Sequence, residues 1–208
     1  VKGGVVLVDP DTGALRQVIA LQYNPEKLSR SFKVQRAGEG AEKSDALRLT
    51  GPAVETFRLE AEIDAADQLE FPEQNRTAVE TGVAPQLAVL ESLVNPRAGD
   101  LRSRQQLAAK GTLEIAPMES PLPIFVWGKN RIAPVLVEEF SIEEEAYSPS
   151  LDPIRAKVSL SLRVLTVNDI GFDHKGGALF MAYLQAREKL AGRAATFGFE
   201  TLGIGGLP

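Results

Sequence analysis

The sequence predicts a mainly β fold with flanking helices: a barrel- or sandwich-like sheet, one helix inserted between strands and another near the C-terminal end. Three observations carry this. Residues 56–63 and 154–164 alternate apolar and polar side chains without a break, and a period of two marks a strand with one packed and one wet face. Clusters of Gly, Pro, Asp and Asn separate the short apolar runs, as turn chemistry requires. Only residues 83–94 and 176–191 repeat apolar residues at helical spacing. Alternating strands with open edges pair with other chains, so the sheet is expected to close into a small barrel or sandwich.

Taken in order, Val5–Val8 is a β-branched run, and Asp9-Pro10-Asp11-Thr12-Gly13 turns it into a second strand over Leu15–Tyr23. The two form a hairpin that Asn24-Pro25 ends, because proline has no N–H to give to a ladder. Leu28–Arg36 sets Phe32 and Val34 on one face and Ser31, Lys33 and Gln35 on the other, a half-buried strand, and the Gly- and Glu-rich stretch 37–44 reads as a loop. In Val54–Ile63, Phe57, Leu59, Ala61 and Ile63 are the packed face. Asp64–Gly82 is a polar excursion, and a helix follows with Val83, Leu87, Leu90 and Val94 on one side and Pro85 in its first turn. A short helix is expected near Leu101–Ala109.

Leu122–Trp127 is an aromatic strand that turns at Gly128-Lys129-Asn130 into a return strand, Ile132–Glu144. Pro134 inside that strand suggests an edge or a bulge. Ile154–Thr166 is the longest alternation, with Ile154, Ala156, Val158, Leu160, Leu162 and Val164 opposite Arg155, Lys157, Ser159, Ser161 and Arg163. The last helix, Gly176–Ala191, carries Leu179, Tyr183, Ala186 and Leu190 on one face. The glycine-rich stretch 196–208 has no packing pattern and is expected to be ordered only by a neighbour. The domain reading is thus a β domain over 1–170 followed by a helix and docking tail over 171–208.

Composition narrows the function classes. The 208 residues are 44% hydrophobic and 25% charged, with a net charge of −5 and no cysteine. Thiolate metal sites, disulfides and cysteine nucleophiles are excluded. The chain as a whole has no basic footprint for nucleic acid; Arg97, Arg102 and Arg104 form the one close basic cluster and read as a solvated loop. No apolar run approaches the ~20 residues of a membrane helix, and the first residues do not read as a signal peptide, so assembly in the cytoplasm is expected.

Residues with chemistry are few. Asp169, Asp173 and His174 are a candidate metal trio, but a lone histidine without a partner one helical turn away is weak, and a polar turn leading into the last helix explains them. No nucleophile elbow, phosphate loop or dinucleotide fingerprint is present; Gly38-Glu39-Gly40 lacks the strand and helix such a fingerprint needs. The carboxylates Glu138, Glu139, Glu143, Glu144 and Glu145 could serve a glycosidase if one were buried and another not, yet on a strand Glu143 and Glu145 line one acidic face. Trp127, the sole tryptophan, is expected between the sheet and the 83–94 helix, with a partner anchor as the alternative. No catalytic, cofactor-binding or metal-binding residue is assigned.

Three stretches stand in a telling order: Leu21-Gln22-Tyr23-Asn24-Pro25-Glu26-Lys27-Leu28, then Gly51-Pro52-Ala53-Val54-Glu55-Thr56-Phe57-Arg58-Leu59-Glu60, then Pro123-Ile124-Phe125-Val126-Trp127-Gly128. Together they resemble the tube-like baseplate proteins of contractile injection systems, phage-tail-like particles that drive a rigid tube through an envelope. The residues carrying the resemblance are Tyr23, Asn24, Pro25, Gly51, Pro52, Phe57, Leu59, Pro123, Phe125, Trp127 and Gly128. It covers roughly residues 5–169.

The resemblance implies a tail-tube fold and a hexameric ring whose sheets line a central channel. It implies a structural, non-enzymatic role: joining the spike hub to the inner tube and templating tube assembly. The implied partners are further copies of the chain, the spike hub, the inner tube protein and baseplate wedge or sheath proteins, with no nucleic acid and no direct membrane insertion. The particle is either released or kept in the producing cell. The LysM module common in the family finds no counterpart, so cell-wall binding is not carried over. Arg155, Lys157, Ser159, Ser161 and Arg163 are the expected channel face, with Glu139, Ser141 and Glu143 as the alternative. Two other functions stay open: the repeating tube subunit, and a carbohydrate-active β-sandwich enzyme using the Glu138–Glu145 carboxylates.

Overall fold

Seven antiparallel strands make up the sheet in the computed structural model, which describes residues 1–36, 48–109 and 120–207. They are β1 (Gly4–Val8), β2 (Leu15–Ala20), β3 (Leu28–Lys33), β4 (Val54–Asp64), β5 (Leu122–Val126), β6 (Ile132–Tyr147) and β7 (Pro153–Val164). Their order across the sheet is β2-β1-β5-β6-β7-β4-β3. The protein is therefore mainly β with flanking helices, as its alternating segments imply.

The two longest alternations lie side by side at the centre. Phe57 pairs with Leu162, Leu59 with Leu160, Ala61 with Val158 and Ile63 with Ala156. A register with period two puts all eight on one face, and all eight are buried. On the far side of β7, β6 adds Val135 and the half-buried Val137, Phe140 and Ile142 to the same core. Phe57 and Phe125 are its largest fully buried side chains, with ring centroids 4.9 Å apart and planes tilted by 40°.

Pro134 sits inside the sheet, not at an edge. It pairs with Ile124 at the end of the β5–β6 ladder, and its carbonyl accepts from the Leu165 N–H at 2.9 Å, just beyond the last residue of β7. The missing N–H thus falls where the β6–β7 ladder begins and costs no interior rung. The irregularity in β6 lies further on, between Val137 and Glu139.

The hairpin of β1 and β2 forms as expected, but β2 ends at Ala20, not Tyr23. β3 is shorter than its pattern suggested. It pairs only with β4 at the sheet's edge, and Phe32 and Val34 are 44% and 51% exposed. The loop expected over 37–44 and the Gly38-Glu39-Gly40 motif lie outside the described residues.

Four helices separate β4 from β5 among the described residues: α1 (Ala66–Leu69), α2 (Arg76–Thr81), α3 (Ala84–Glu91) and α4 (Ala98–Ala109); α3 and α4 answer to the helices expected over 83–94 and near 101–109, and α1 and α2 are additional. Val83, Leu87 and Leu90 are buried as the helical spacing predicts, whereas Val94 lies past the end of α3 and is exposed. The α4 helix has no buried residue, which is why its apolar pattern is faint.

After β7 come α5 (Val167–Ile170) and α6 (Lys175–Ala191), then a 3-10 turn over Phe199–Leu202. The inward face of α6 matches the expected one only at Tyr183. Gly176, Gly177, Phe180 and Tyr183 are buried, while Leu190 is 41% exposed. Trp127 is also placed differently: it stacks on Phe125 and borders a cavity shared with Tyr183, Arg187 and Leu190 of α6. It packs at the α6 end, away from α3.

Candidate functional site

The aromatic-Asn-Pro stretch closes the sheet's seam. The sheet curls around its core until the end of β2 meets the end of β4, and no ladder joins these two strands among the described residues. The Gln22 side chain takes the place of a rung. Its amide nitrogen donates to the Asp64 carbonyl at 2.7 Å, and its amide oxygen accepts from the Asp64 N–H at 3.0 Å. Asn24 makes a second such bridge: its oxygen accepts from the Gly3 N–H and its nitrogen donates to the Val1 carbonyl, both at 2.8 Å. Tyr23 donates to Asp67 at 3.3 Å, and the Asp67 charge raises its phenol pKa. Replacing Gln22 with Ala orphans both backbone groups of Asp64. We expect a loss of about 1–3 kcal/mol, read as a lower urea midpoint at unchanged slope.

The other motif glycines also have local causes. A Cβ on Gly51 would lie 2.5 Å from the Asn168 amide nitrogen, so a larger residue there requires the Asn168 side chain to turn aside. Gly128 opens the β5–β6 turn at φ +72°, a conformation that favours glycine, and the Trp127 N–H closes that turn on the Arg131 carbonyl at 2.8 Å.

The side of β4, β7 and β6 turned away from the core is polar. The expected face Arg155, Lys157, Ser159, Ser161 and Arg163 runs along β7 in its middle. The register sets Arg58 and Glu139 beside Ser161, Glu60 and Ser141 beside Ser159, Glu62 and Glu143 beside Lys157, and Asp64 and Glu145 beside Arg155. Glu139, Ser141 and Glu143 thus share a face with the β7 residues, and the two alternatives are one surface. It holds a hollow of about 1060 Å³ lined in part by Tyr23, Lys27, Arg58, Glu60, Lys157 and Ser159.

Charge on this face is striped: acidic residues on β4 and β6 flank a basic β7. Lys157 donates to Glu145 at 2.6 Å and Arg155 to Asp64 at 2.7 Å. Those hydrogen bonds are the largest cause raising the pKa of each cation. Arg163 bridges Glu138 at 3.2 Å and Asp169 at 2.8 Å. Exposed pairs of this kind contribute little to stability, so the stripes chiefly fix surface charge.

The candidate metal trio is not brought together. Asp169 completes a capping box with Thr166 at the start of α5. Burial opposes its ionisation, but the Thr166 N–H and hydroxyl and the Arg163 guanidinium outweigh this and hold its pKa below the usual range. His174 caps α6 by accepting from the Gly176 N–H at 3.0 Å. No group of metal-ligating side chains is found among the described residues.

Sequence reasoning missed one cluster. Glu55 lies on the core side of β4 and is 3% exposed. Arg30 of β3 donates to it twice, at 2.9 and 2.6 Å. The Tyr183 hydroxyl lies 3.1 Å from each carboxylate oxygen, and Arg187 donates at 3.0 Å. Both guanidinium groups also stand over the Phe32 ring, 5.1 and 5.0 Å from its centroid. Burial, then the Glu55 charge, raises the Tyr183 pKa. The signal was present: Glu55 has the same parity as Phe57 and Leu59, and a carboxylate at a core position demands partners.

No family model matches the chain, and no curated protein matches it. A solved structure described as the tail of an empty GTA particle with C6 symmetry contains a similar chain. The match has a TM-score of 0.30 and 11% identity, and covers 78% of this chain and 90% of that one. At that TM-score the likeness carries no argument about function.

Proposed function

We propose that the chain is a structural ring subunit of a contractile, phage-tail-like particle, and that the striped face of β4, β7 and β6 lines the ring's channel. One observation carries the reading: a charged and serine-rich sheet face that borders a hollow and is backed by a continuous apolar core. A channel wall filled with water needs such a surface, and a ring needs its subunits to differ on their two flanks, since rotational closure uses heterologous contacts. In its finer form the chain is a non-enzymatic baseplate adaptor. It forms a hexamer between spike hub and inner tube, touches wedge or sheath proteins at the rim, and is assembled in the cytoplasm. Residues 21–28, 51–60 and 123–128 support the finer form by their order.

The test is location. Tagged protein in native particles, viewed by electron microscopy, is expected as one ring at one end. Label along the whole shaft would make it the tube subunit, and label on no particle would refute the reading. A second outcome concerns the face itself. Replacing Arg155 and Lys157 with Gln is expected to leave the isolated subunit's Tm within a few degrees, since exposed pairs contribute little, while the acidic stripes, no longer neutralised, crowd the channel with like charge and lower the yield of assembled particles. Unchanged particle yield would remove this face from the lumen.

A further inference from the structure

The β5–β6 turn and α6 enclose a second hollow, of about 500 Å³, bordered by Arg30, Trp127, Lys129, Arg131, Arg187 and Leu190. Its charge is unbalanced. Arg30 and Arg187 share the single buried carboxylate of Glu55, and Lys129 and Arg131 have no ion pair among the described residues. The result is a local cationic pocket with an aromatic wall on a chain of net charge −5. Such a pocket fits an anionic group carried beside aromatic or aliphatic side chains.

The chain itself holds a segment of that chemistry. Phe197, Phe199 and Leu202 are 73%, 45% and 73% exposed, and Glu200 stands among them, exposed at the 3-10 turn. Large apolar side chains grouped this way mark a contact surface. We propose that the Phe197–Leu202 segment of one copy docks in the Trp127 pocket of a second copy, with Glu200 facing Lys129 and Arg131 and the phenylalanines against Trp127 and Leu190. Only the identity of the donor, a neighbouring copy, rests on the ring reading. Tail-into-pocket is a heterologous contact, the kind a ring repeats.

Trp127 is the only tryptophan, so its fluorescence reports the pocket directly. The receptor is the full chain carrying Glu200→Lys, which disables its own tail. The ligand is a synthetic peptide of residues 195–207. A saturable change in Trp127 emission is expected. Its affinity should fall on the order of tenfold or more when the receptor also carries Lys129→Glu and Arg131→Glu, or when the peptide carries Glu200→Lys. No saturable change, a change indifferent to both reversals, or equal binding of a scrambled peptide of the same composition would overturn the proposal. Particle location is a separate measurement. Peptide binding without any particle would sink the ring and keep the pocket, whereas a correctly placed ring without peptide binding would sink the pocket alone.

Discussion

Phe57→Asp is expected to yield no folded protein. Phe57 is fully buried at the centre of β4, between Leu162 on β7 and the Phe125 ring. Removing a core aromatic costs about 3–5 kcal/mol through lost transfer and the cavity left behind. The carboxylate adds the cost of burial without a dedicated partner. Arg30 stands 5.7 Å from the Phe57 ring centroid, but its guanidinium already serves Glu55. The combined cost reaches the whole stability of an ordinary domain, about 5–15 kcal/mol. Circular dichroism should show no cooperative melt, and the protein should collect in the insoluble fraction. Phe57→Leu, which keeps the site apolar, should remain folded and melt lower. A soluble Asp variant melting with the wild type would place Phe57 outside the core.

The second large effect concerns Glu55. Replacing Arg30 and Arg187 together with Met leaves a buried carboxylate facing only the Tyr183 hydroxyl. We expect a loss of about 3–5 kcal/mol, since breaking a buried pair strands a charge. Glu55→Gln should cost less, because the arginines it leaves are 29% and 39% exposed and can rehydrate. Adding Glu55→Met to the double arginine variant should recover much of the loss, because an apolar replacement removes the stranded charge. Urea unfolding of the wild type, Glu55→Met, the double arginine variant and the triple variant forms a thermodynamic cycle. If the triple variant is as unstable as the double, packing of the arginine stems and not charge burial accounts for the loss.

How far the fold was legible depends on what kind of residue holds each element in place. The faces of β4 and β7 could be read because their partners are one another and apolar, so period two survives intact. The face of α6 could not. Leu179, Tyr183, Ala186 and Leu190 suggested one stripe; Tyr183 is buried, but the helix is turned so that Tyr183 and Arg187 reach Glu55 while Leu190 stays exposed, and hydropathy does not register a demand for hydrogen bonds. Trp127 was assigned to the wrong helix for the same reason, since the orientation of α6 decides what it touches. The unexpected helices after β4, α1 and α2, have 4 and 6 residues, too few for a packing period to mark them. In the candidate site, alternation alone placed Arg155, Lys157, Ser159, Ser161 and Arg163 on one side of β7, and their merger with Glu139, Ser141 and Glu143 needed the inter-strand register. The role of Gln22 needed the tertiary fold, because the backbone it completes lies 42 residues away.

The Asn24 bridge has a chemical consequence. Asparagine usually deamidates when the next residue's backbone N–H attacks the side-chain amide and forms a succinimide. Conversion to aspartate would replace the donor to Val1 with an oxygen that can only accept and break half of the bridge. The residue that follows is Pro25, which has no N–H to attack with. The proline that ends the hairpin thus also protects the seam from ageing, in a protein whose proposed role is to stay assembled until a single use.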